Sequence, residues 1–320
     1  MSQHQFAFVF PGQGSQSVGM LASWLSHPQV KLTLEEASQA LGEDLQTLIA
    51  QGPKETLALT SNTQPVMLAA DVAIYRAWLA EGGAPPVAVA GHSLGEYAAL
   101  VAAGVLSLSQ AIPLVRFRGQ AMQDAVAVGV GGMAAILGLE AKQVAQICQE
   151  MSQEAHSKNV QEVVEAVNFN DPLQTVIAGN KALVDLACLV LKEKGAKRAL
   201  PLPVSAPFHS TLMKPAADRL KERLATLVFN EPLMPVINNV DVASYAQAEK
   251  IKDALFRQAY MPVRWVECIQ AMKLMGVDLV VECGPGQVLS GLTKRIDASL
   301  ESASLKEFAG IQSLKDLLKS

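Results

Sequence analysis

The chain is poor in charge, and it has no long hydrophobic run. Only 18% of its 320 residues are charged, and the formal net charge is −4. A nucleic-acid-binding surface usually shows a strong basic excess, so we expect no nucleic-acid partner. No apolar run approaches the roughly 20 residues of a membrane-spanning helix, and no basic segment followed by a long apolar core opens the chain. We therefore expect a cytoplasmic protein with no membrane partner.

Cysteine is also scarce, and its spacing excludes two classes of site. The four cysteines are scattered and form no C-x-x-C pair: Cys148, Cys188, Cys268 and Cys283. This distribution is typical of small apolar residues in a reducing compartment rather than of a disulfide framework or a zinc site. We expect no metal ion and no cofactor. The sequence does not determine the oligomeric state, and a monomer is our working expectation.

Strand and helix patterns alternate in the first third of the chain. Half of all residues are hydrophobic, which is enough for one large domain or two smaller ones. The apolar run Phe6–Phe10 predicts a buried strand, and helices follow to about Ala80. A loop at 82–86 precedes a second strand at 87–90, and 109–127 is predicted to be helical. This alternation predicts an α/β fold with a mostly parallel sheet.

The middle of the chain predicts a separate unit. After a flexible junction at 129–132, the pattern reads strand, helix, strand, strand, helix, strand, which is the ferredoxin-like order. The predicted elements are 133–137, 140–155, 163–169, 175–178, 181–194 and 197–202. We therefore expect a small subdomain at 130–202 inserted into a catalytic domain formed by 1–129 and 203–320. Strands at 236–237 and 279–283 and a helix from about 287 return to the α/β pattern.

Residues 91–95, Gly-His-Ser-Leu-Gly, form the most informative motif. They lie between a predicted buried strand and an apolar helix, which is the context of a nucleophile elbow. Glycines on both sides tolerate the sharp turn that would present the Ser93 hydroxyl. The backbone N–H of Leu94, at the helix start, would be free to bind an oxyanion. The alternative is a chance G-x-S-x-G in which Ser93 only caps the helix.

Serine needs a base to become a nucleophile, and His209 is our candidate. It lies in a loop between an apolar strand and a new helix, where catalytic side chains concentrate. The alternative role for His209 is to cap or line that helix. His4, His27 and His156 lie at the terminus or in polar stretches, and His92 points away from its neighbour around the tight turn.

No acid suits the third position of a triad. Asp171 and Asp185 lie between Ser93 and His209, but both belong to the predicted insert and neither follows a convincing strand end. The sequence therefore favours a dyad in which an amide or a backbone carbonyl orients the imidazole.

Two further segments are candidate parts of the site. Residues 11–16, Pro-Gly-Gln-Gly-Ser-Gln, follow the first strand but lack a Walker or dinucleotide pattern. The Gln13 amide could supply a second oxyanion donor, or the segment could be an ordinary turn. Arg116 and Arg118 cannot share a helix face. One of them, partly buried near Ser93, would bind a carboxylate in a bidentate manner, whereas a solvated surface arginine is the commoner case.

Together these motifs resemble the malonyl-CoA:acyl-carrier-protein transacylases of bacterial type II fatty-acid synthesis. The matching segments occur in family order across nearly the whole chain: 10–16, 91–97, 118–119, 167–170, 207–210, 238–240, 257–258 and 284–286. The resemblance implies an α/β-hydrolase-like large domain with an inserted ferredoxin-like subdomain. It also implies transfer of malonyl from malonyl-CoA to acyl carrier protein. One departure is the segment 153–165, which is longer and more polar than usual and leaves the helix boundaries of the insert open.

The resemblance assigns a role to each candidate residue. It implies that Ser93 is the acylated nucleophile and His209 its base, with the amides of Gln13 and Leu94 as the oxyanion hole. Arg118 would bind the malonyl carboxylate, and the backbone carbonyl of Gln258 would orient the histidine. Asn168 matches an asparagine near the cleft. Leu94 and Phe208 fit the pattern of malonyl-selective members.

Three other functions stay open at this point. A thioesterase of similar fold could share the elbow. A non-catalytic docking subunit for an acidic carrier protein could use the basic cluster of Lys192, Lys194, Lys197 and Arg198. A stand-alone acyltransferase of polyketide assembly would share the chemistry within another pathway.

Overall fold

The computed structural model describes residues 4–204 and 206–319, which fold around two sheets. The strands are β1 (Phe6–Phe10), β2 (Ala88–Gly91), β3 (Gly131–Leu137), β4 (Val164–Asp171), β5 (Gln174–Asn180), β6 (Arg198–Pro201), β7 (Val236–Ile237), β8 (Leu279–Glu282) and β9 (Glu301–Ser304). The helices are α1 (Pro28–Leu41), α2 (Leu45–Gln51), α3 (Lys54–Ala58), α4 (Thr60–Ala80), α5 (Gly95–Ala102), α6 (Leu108–Asp124), α7 (Ala141–Ser157), α8 (Lys181–Glu193), α9 (Lys214–Ala225), α10 (Ala248–Gln258), α11 (Trp265–Leu274), α12 (Val288–Ile296) and α13 (Gly310–Leu317). Within the described ranges, no helix is long and apolar enough to span a membrane.

The larger sheet is parallel and has the strand order β7-β2-β1-β8-β9. Its central strand explains the continuous apolar run at the start of the chain. Phe6, Phe8 and Phe10 pack into the core on one face, whereas Ala7 and Val9 pack into a second core on the other. Because side chains alternate across a strand, a strand covered on both faces must be apolar throughout. The predicted parallel α/β sheet is confirmed.

The smaller sheet is antiparallel, with the order β4-β5-β3-β6, and α7 and α8 pack against it. The predicted strand–helix–strand–strand–helix–strand series is present, so the fold class is confirmed. Met133, Val167 and Val176 of this sheet pack with Phe208 and Met213 of the following segment. The smaller sheet therefore lies directly beside the loop that carries His209. The division of domains at 129/130 and 202/203 stays a prediction.

Several boundaries differ from the sequence prediction. Gly131, which the sequence placed in a flexible junction, is the first residue of β3 and pairs with Asn180. The helix predicted at 109–127 runs from Leu108 to Asp124, since Ser107 and Gln110 form a capping box at its start. Strand β9 was missed because Glu301–Ser304 is a short, small and partly exposed edge strand without an apolar run. Helix α9 was expected after His209 without stated bounds, and helices α10, α11 and α13 were not predicted.

Candidate active site

Ser93 occupies a strained turn between β2 and α5. Its φ is 52°, in the left-handed region that side chains other than glycine seldom adopt. A Cβ on Gly91 would lie 1.8 Å from the carbonyl carbon of Gly95, and one on Gly95 would lie 2.0 Å from the Phe10 carbonyl oxygen. The turn therefore requires glycine at both positions. It places the serine at the carboxyl end of the parallel strands, where ligands bind in open α/β sheets.

The structure brings His209 into contact with Ser93. The Ser93 Oγ lies 2.7 Å from His209 Nε2, although the two residues are 116 positions apart. His209 Nδ1 lies 2.7 Å from the backbone carbonyl oxygen of Gln258. A carbonyl oxygen only accepts, so Nδ1 carries the proton and Nε2 is left to accept from the serine hydroxyl. The geometry is that of a dyad oriented by a backbone carbonyl.

The imidazole of His209 is held neutral. Its side chain is buried, and burial followed by the positive charge of Arg118 lowers the pKa of His209 to about 3. Both causes disfavour the imidazolium, the first by desolvation and the second by like-charge repulsion. In the resting site the ring is therefore a proton acceptor.

Arg118 presents a buried positive charge beside the serine. It is 2% exposed, and its guanidinium donates to Gln64 Oε1 at 3.0 Å and to Gln258 Oε1 at 3.0 Å. Its Nη2 also donates to Ser93 Oγ at 3.3 Å. No carboxylate of the described residues forms an ion pair with it. A buried cation without a partner of opposite charge is costly, and an anionic substrate group would relieve that cost.

A cavity of about 110 Å3 joins these groups. Its walls include six of the seven predicted site residues, namely Gln13, Ser93, Leu94, Arg118, Asn168 and His209, and Gln258 reaches the site through its carbonyl. The remaining walls are mostly apolar, with Met122, Met133, Leu202, Val204 and Phe208. The Oδ1 of Asn168 is buried and has no hydrogen-bond partner among the described residues.

The two predicted oxyanion donors come from loops in direct contact. A Cβ on Gly12 would lie 2.5 Å from the His92 carbonyl oxygen and 3.7 Å from the Leu94 nitrogen. Neither the Gln13 nor the Leu94 backbone N–H donates to an acceptor within the described residues. Both are therefore available to a developing negative charge.

The other candidates from the sequence have different partners. His92 lines the cavity, but its Nε2 contacts Asn170 Oδ1 at 2.8 Å rather than the Ser93 hydroxyl. Asp171 pairs with Arg295 and Asp185 with Lys181, so neither orients His209. Across residues 4–204 and 206–319, no group of three or more metal-ligating side chains is assembled.

Sequence reasoning missed three polar residues of the site. Gln64 lies in the buried helix α4 and bonds to Arg118, as described above. Glu96 accepts from the Asn239 backbone N–H and from Gln258 Nε2, both at 2.9 Å. The sequence did contain a signal for Glu96. It is a single carboxylate directly before the apolar run Tyr97 to Ala103, and such a run indicates a helix buried on all sides, which would bury Glu96 as well. Asn239 lies in a segment that the resemblance matched without assigning it a role.

Taken together, the elbow serine, the neutral histidine, the free amides and the cavity are the parts of an acyl-transfer enzyme. The comparisons with known proteins agree with this class. The family described as "Acyl transferase domain" matches residues 7–312. The chain is 53% identical over 304 residues to the "Malonyl CoA-acyl carrier protein transacylase" of Escherichia coli (strain K12), covering 95% of this chain and 96% of that protein.

Solved structures give the same result. The acyl-carrier-protein S-malonyltransferase of Burkholderia pseudomallei 1710b is 59% identical, with a TM-score of 0.93 and coverage of 99% of this chain and 100% of that one. A malonyl-transacylase in complex with a type II PKS acyl-carrier protein is 49% identical, with a TM-score of 0.94 and 99% of its chain and 98% of this one covered. The chain belongs to the acyl transferase family and, within it, to the malonyl CoA-acyl carrier protein transacylases. The resemblance carried by the sequence motifs is confirmed.

Proposed function

We propose that this enzyme transfers the malonyl group of malonyl-CoA to the phosphopantetheine thiol of acyl carrier protein, through an ester on Ser93, and so supplies extender units for fatty-acid synthesis. The observation that carries the proposal is the buried Arg118 guanidinium, which forms no direct ion pair among the described residues and whose Nη2 donates to Ser93 Oγ at 3.3 Å. An acyl group on that oxygen with a free carboxylate would reach the guanidinium. The named relatives and the neighbour bound to a carrier protein support the same substrates.

In the first half-reaction His209 Nε2 takes the Ser93 proton while Oγ attacks the thioester carbonyl. The Gln13 and Leu94 amides stabilise the tetrahedral oxyanion, each worth about 3–4 kcal/mol in comparable sites. The intermediate collapses, the C–S bond breaks, and the CoA sulfur leaves as a thiol with the proton from His209. The products are free CoA and malonyl-Ser93.

The second half-reaction reverses these steps with a new thiol. His209 accepts the proton of the phosphopantetheine thiol, and the sulfur attacks the ester carbonyl of malonyl-Ser93. The oxyanion uses the same two amides, and Ser93 Oγ leaves with the proton from His209. The malonyl thioester of acyl carrier protein departs and the free enzyme is restored.

Arg118 links substrate choice to the chemistry. Its charge is the second cause of the low pKa of His209. A malonyl carboxylate paired with Arg118 offsets that charge, and the oxyanion adds a further negative charge near the imidazolium. An acyl group without a carboxylate leaves Arg118 unpaired, so His209 is a weaker base in that complex.

The direct test is intact-mass analysis after the protein is mixed with malonyl-CoA in the absence of acyl carrier protein. We expect the mass to increase by one malonyl group, located on the peptide that contains Ser93, and we expect holo acyl carrier protein to remove it. Parallel samples with acetyl-CoA and methylmalonyl-CoA measure selectivity. A protein that gains no covalent group would be a docking subunit, and one that releases free malonate would be a thioesterase.

Replacing Arg118 with alanine should abolish the preference for malonyl over acetyl. Loss of one partner of a buried charge pair costs about 2–5 kcal/mol, so we expect kcat/KM for malonyl-CoA to fall by roughly 30- to 5,000-fold. The rate with acetyl-CoA should fall far less. Arg116→Ala is the matched control, because Arg116 bonds to Asn62 and Glu43 and lies outside the cavity. A malonyl preference that survives in Arg118→Ala would remove Arg118 from the proposed site.

The acylation rate should not decrease as the pH is lowered through 6.5, as it would if the base were a histidine with an ordinary pKa. His209 is a base only when neutral, and its pKa is lowered from 6.5 to about 3, so the neutral form persists in mildly acid solution. We expect kcat/KM, measured by CoA release, to show no inflection near pH 6.5, since the pH dependence of kcat/KM reports the pKa values of the free enzyme. Burial raises the pKa of Glu96 to about 7, so the profile is repeated in Glu96→Gln. An inflection near pH 6.5 that persists in that variant would show that His209 titrates normally.

We also propose the setting in which the enzyme works. The four cysteines are free and buried, which fits the reducing cytoplasm. We propose a monomer with malonyl-CoA and acyl carrier protein as its partners, without nucleic acid, membrane, metal or cofactor.

We further propose that 130–202 is a subdomain inserted between 1–129 and 203–320, supported by the separate core that α7 and α8 form on the smaller sheet.

A further inference from the structure

Glu96 is a buried carboxylate that takes part in no step of the proposed acyl transfer. It lies in the first turn of α5 and is 2% exposed. No lysine, arginine or histidine of the described residues forms an ion pair with it. Its partners are two N–H groups, which both donate to the same oxygen, Oε2. A carboxylate is buried at considerable cost, so its hydrogen bonds at this position call for an explanation.

The first N–H group connects Glu96 to the nucleophile elbow. The backbone N–H of Asn239 donates to Glu96 Oε2 at 2.9 Å. The side chain of Asn239 then holds both sides of the turn, because its Oδ1 accepts from the Ser93 N–H at 2.8 Å and its Nδ2 donates to the Gly91 carbonyl at 2.8 Å. Asn239 therefore secures the strained backbone at Ser93.

The second N–H group connects Glu96 to the base. Gln258 Nε2 donates to Glu96 Oε2 and to the Ser93 carbonyl, both at 2.9 Å. The Oε1 of the same amide accepts from Arg118, and its backbone carbonyl accepts from His209. An acceptor at Glu96 fixes which end of the amide faces which neighbour. Without it, the Gln258 side chain could rotate and release both Arg118 and the Ser93 backbone.

We infer that Glu96 is a positioning residue that aligns Ser93 with His209 by accepting hydrogen bonds from Asn239 and Gln258. The inference rests on the proposed function, since it concerns the acylation of Ser93. Its basis is that Glu96 Oε2 accepts hydrogen bonds from both Asn239, which holds the Ser93 turn, and Gln258, whose backbone carbonyl orients the base. Glu96 lies at the N-terminal end of α5, where the helix dipole favours a negative charge. It acts through these neighbours and does not contact the substrate.

The test compares Glu96→Ala with Glu96→Gln in single-turnover acylation by malonyl-CoA. We expect Glu96→Ala to lower the acylation rate by about 100-fold, since small misplacements of reacting groups cost that much. We expect the KM for malonyl-CoA to change by less than about threefold, because Arg118 keeps its charge and its bond to Gln64. Glu96→Gln keeps an oxygen that can accept from both N–H groups, so we expect it to stay within about fivefold of the wild type.

A neutral fluorophosphonate probe separates the two routes by which Glu96 could act. The probe labels an activated serine and needs no contact with Arg118. Slow labelling of Glu96→Ala places the defect in the Ser93–His209 pair, as we expect. Normal labelling together with slow malonylation would place it at Arg118 and overturn the inference. Absence of labelling and of malonylation in the wild type would contradict the proposed function instead.

Glu282→Ala is the matched control. Glu282 is also a fully buried carboxylate that accepts from two backbone N–H groups, those of Val288 and Ser290, but it lies outside the cavity. We expect its loss to lower Tm and leave both rates unchanged. Equal slowing in this variant, or a Glu96→Ala rate within threefold of the wild type, would overturn the inference. If Glu96→Ala does not fold, Glu96→Asp replaces it, and an unimpaired rate in that shortened variant would overturn the inference as well.

Discussion

Replacing Ser93 with alanine should eliminate the covalent malonyl-enzyme and lower turnover by a factor on the order of 10⁴ or more. The alanine leaves the cavity, Arg118 and the oxyanion donors in place, so malonyl-CoA can still bind. Within the part of the chain that the structure describes, it removes the only oxygen that lies within hydrogen-bonding distance of both His209 and Arg118, at 2.7 and 3.3 Å. Intact-mass analysis with malonyl-CoA, together with a transfer assay to acyl carrier protein, measures both effects.

The fold of the variant needs a separate check, because Ser93 has a φ of 52°. Alanine also resists the left-handed region, so we expect a small loss of stability and an unchanged affinity for CoA. A Ser93→Ala protein that still gained one malonyl group would show that another residue is the nucleophile. Direct transfer between the two thiols without an enzyme ester would be the remaining mechanism if turnover persisted without labelling.

Replacing His209 with alanine should slow acylation of Ser93 by about 10³- to 10⁴-fold, since the serine loses its base. The hydroxyl would keep its contact with Arg118, which donates and cannot accept a proton. Release of CoA in a single turnover measures the rate. Because the oxyanion amides remain, we expect a residual rate above that of thioester hydrolysis in water.

His156→Ala is the control for this prediction. His156 lies in the last turn of α7, exposed and outside the cavity, so its loss should leave acylation unchanged. A His209→Ala variant that acylates at the wild-type rate would mean that the 2.7 Å contact serves structure alone. His92 would then be the next imidazole to test, although it already contacts Asn170.

The local features of the site follow from short stretches of sequence. Gly91 and Gly95 are required by contacts within the turn and with the adjacent strand, so the motif alone indicated a sharp strand-to-helix turn at Ser93. The run Phe6–Phe10 is apolar throughout because both faces of β1 are covered. The six elements of the insert could be predicted to within a few residues because their hydrophobic periodicity is a local property of the sequence. The edge strand β9, which buries little, gave no such signal, and helices α10, α11 and α13 were not predicted either.

The polar network could not be predicted from local patterns. Asn239 meets Ser93 across 146 positions, and Gln258 meets Glu96 across 162. Hydrogen bonds between such distant residues leave no periodicity. The resemblance gave a role only to the backbone carbonyl of Gln258, and none to its side chain or to Asn239. The two arginines of α6 are a second example. Their spacing places Arg116 and Arg118 on different faces of the helix. Only the packing of α6 against α4 decides that Arg118 is the one that contacts Gln64 and lines the cavity.

By itself the sequence determined the parallel sheet, the inserted antiparallel unit and the turn that exposes a serine, because each depends on residue size, backbone freedom or apolar spacing over a few neighbours. Only the tertiary structure decided that His209 is neutral, that Arg118 is buried with no direct ion pair among the described residues, and that Glu96 joins Asn239 to Gln258. Those properties depend on burial and on distances between chain segments. Both arise when the loops at the carboxyl ends of the strands come together around one cavity.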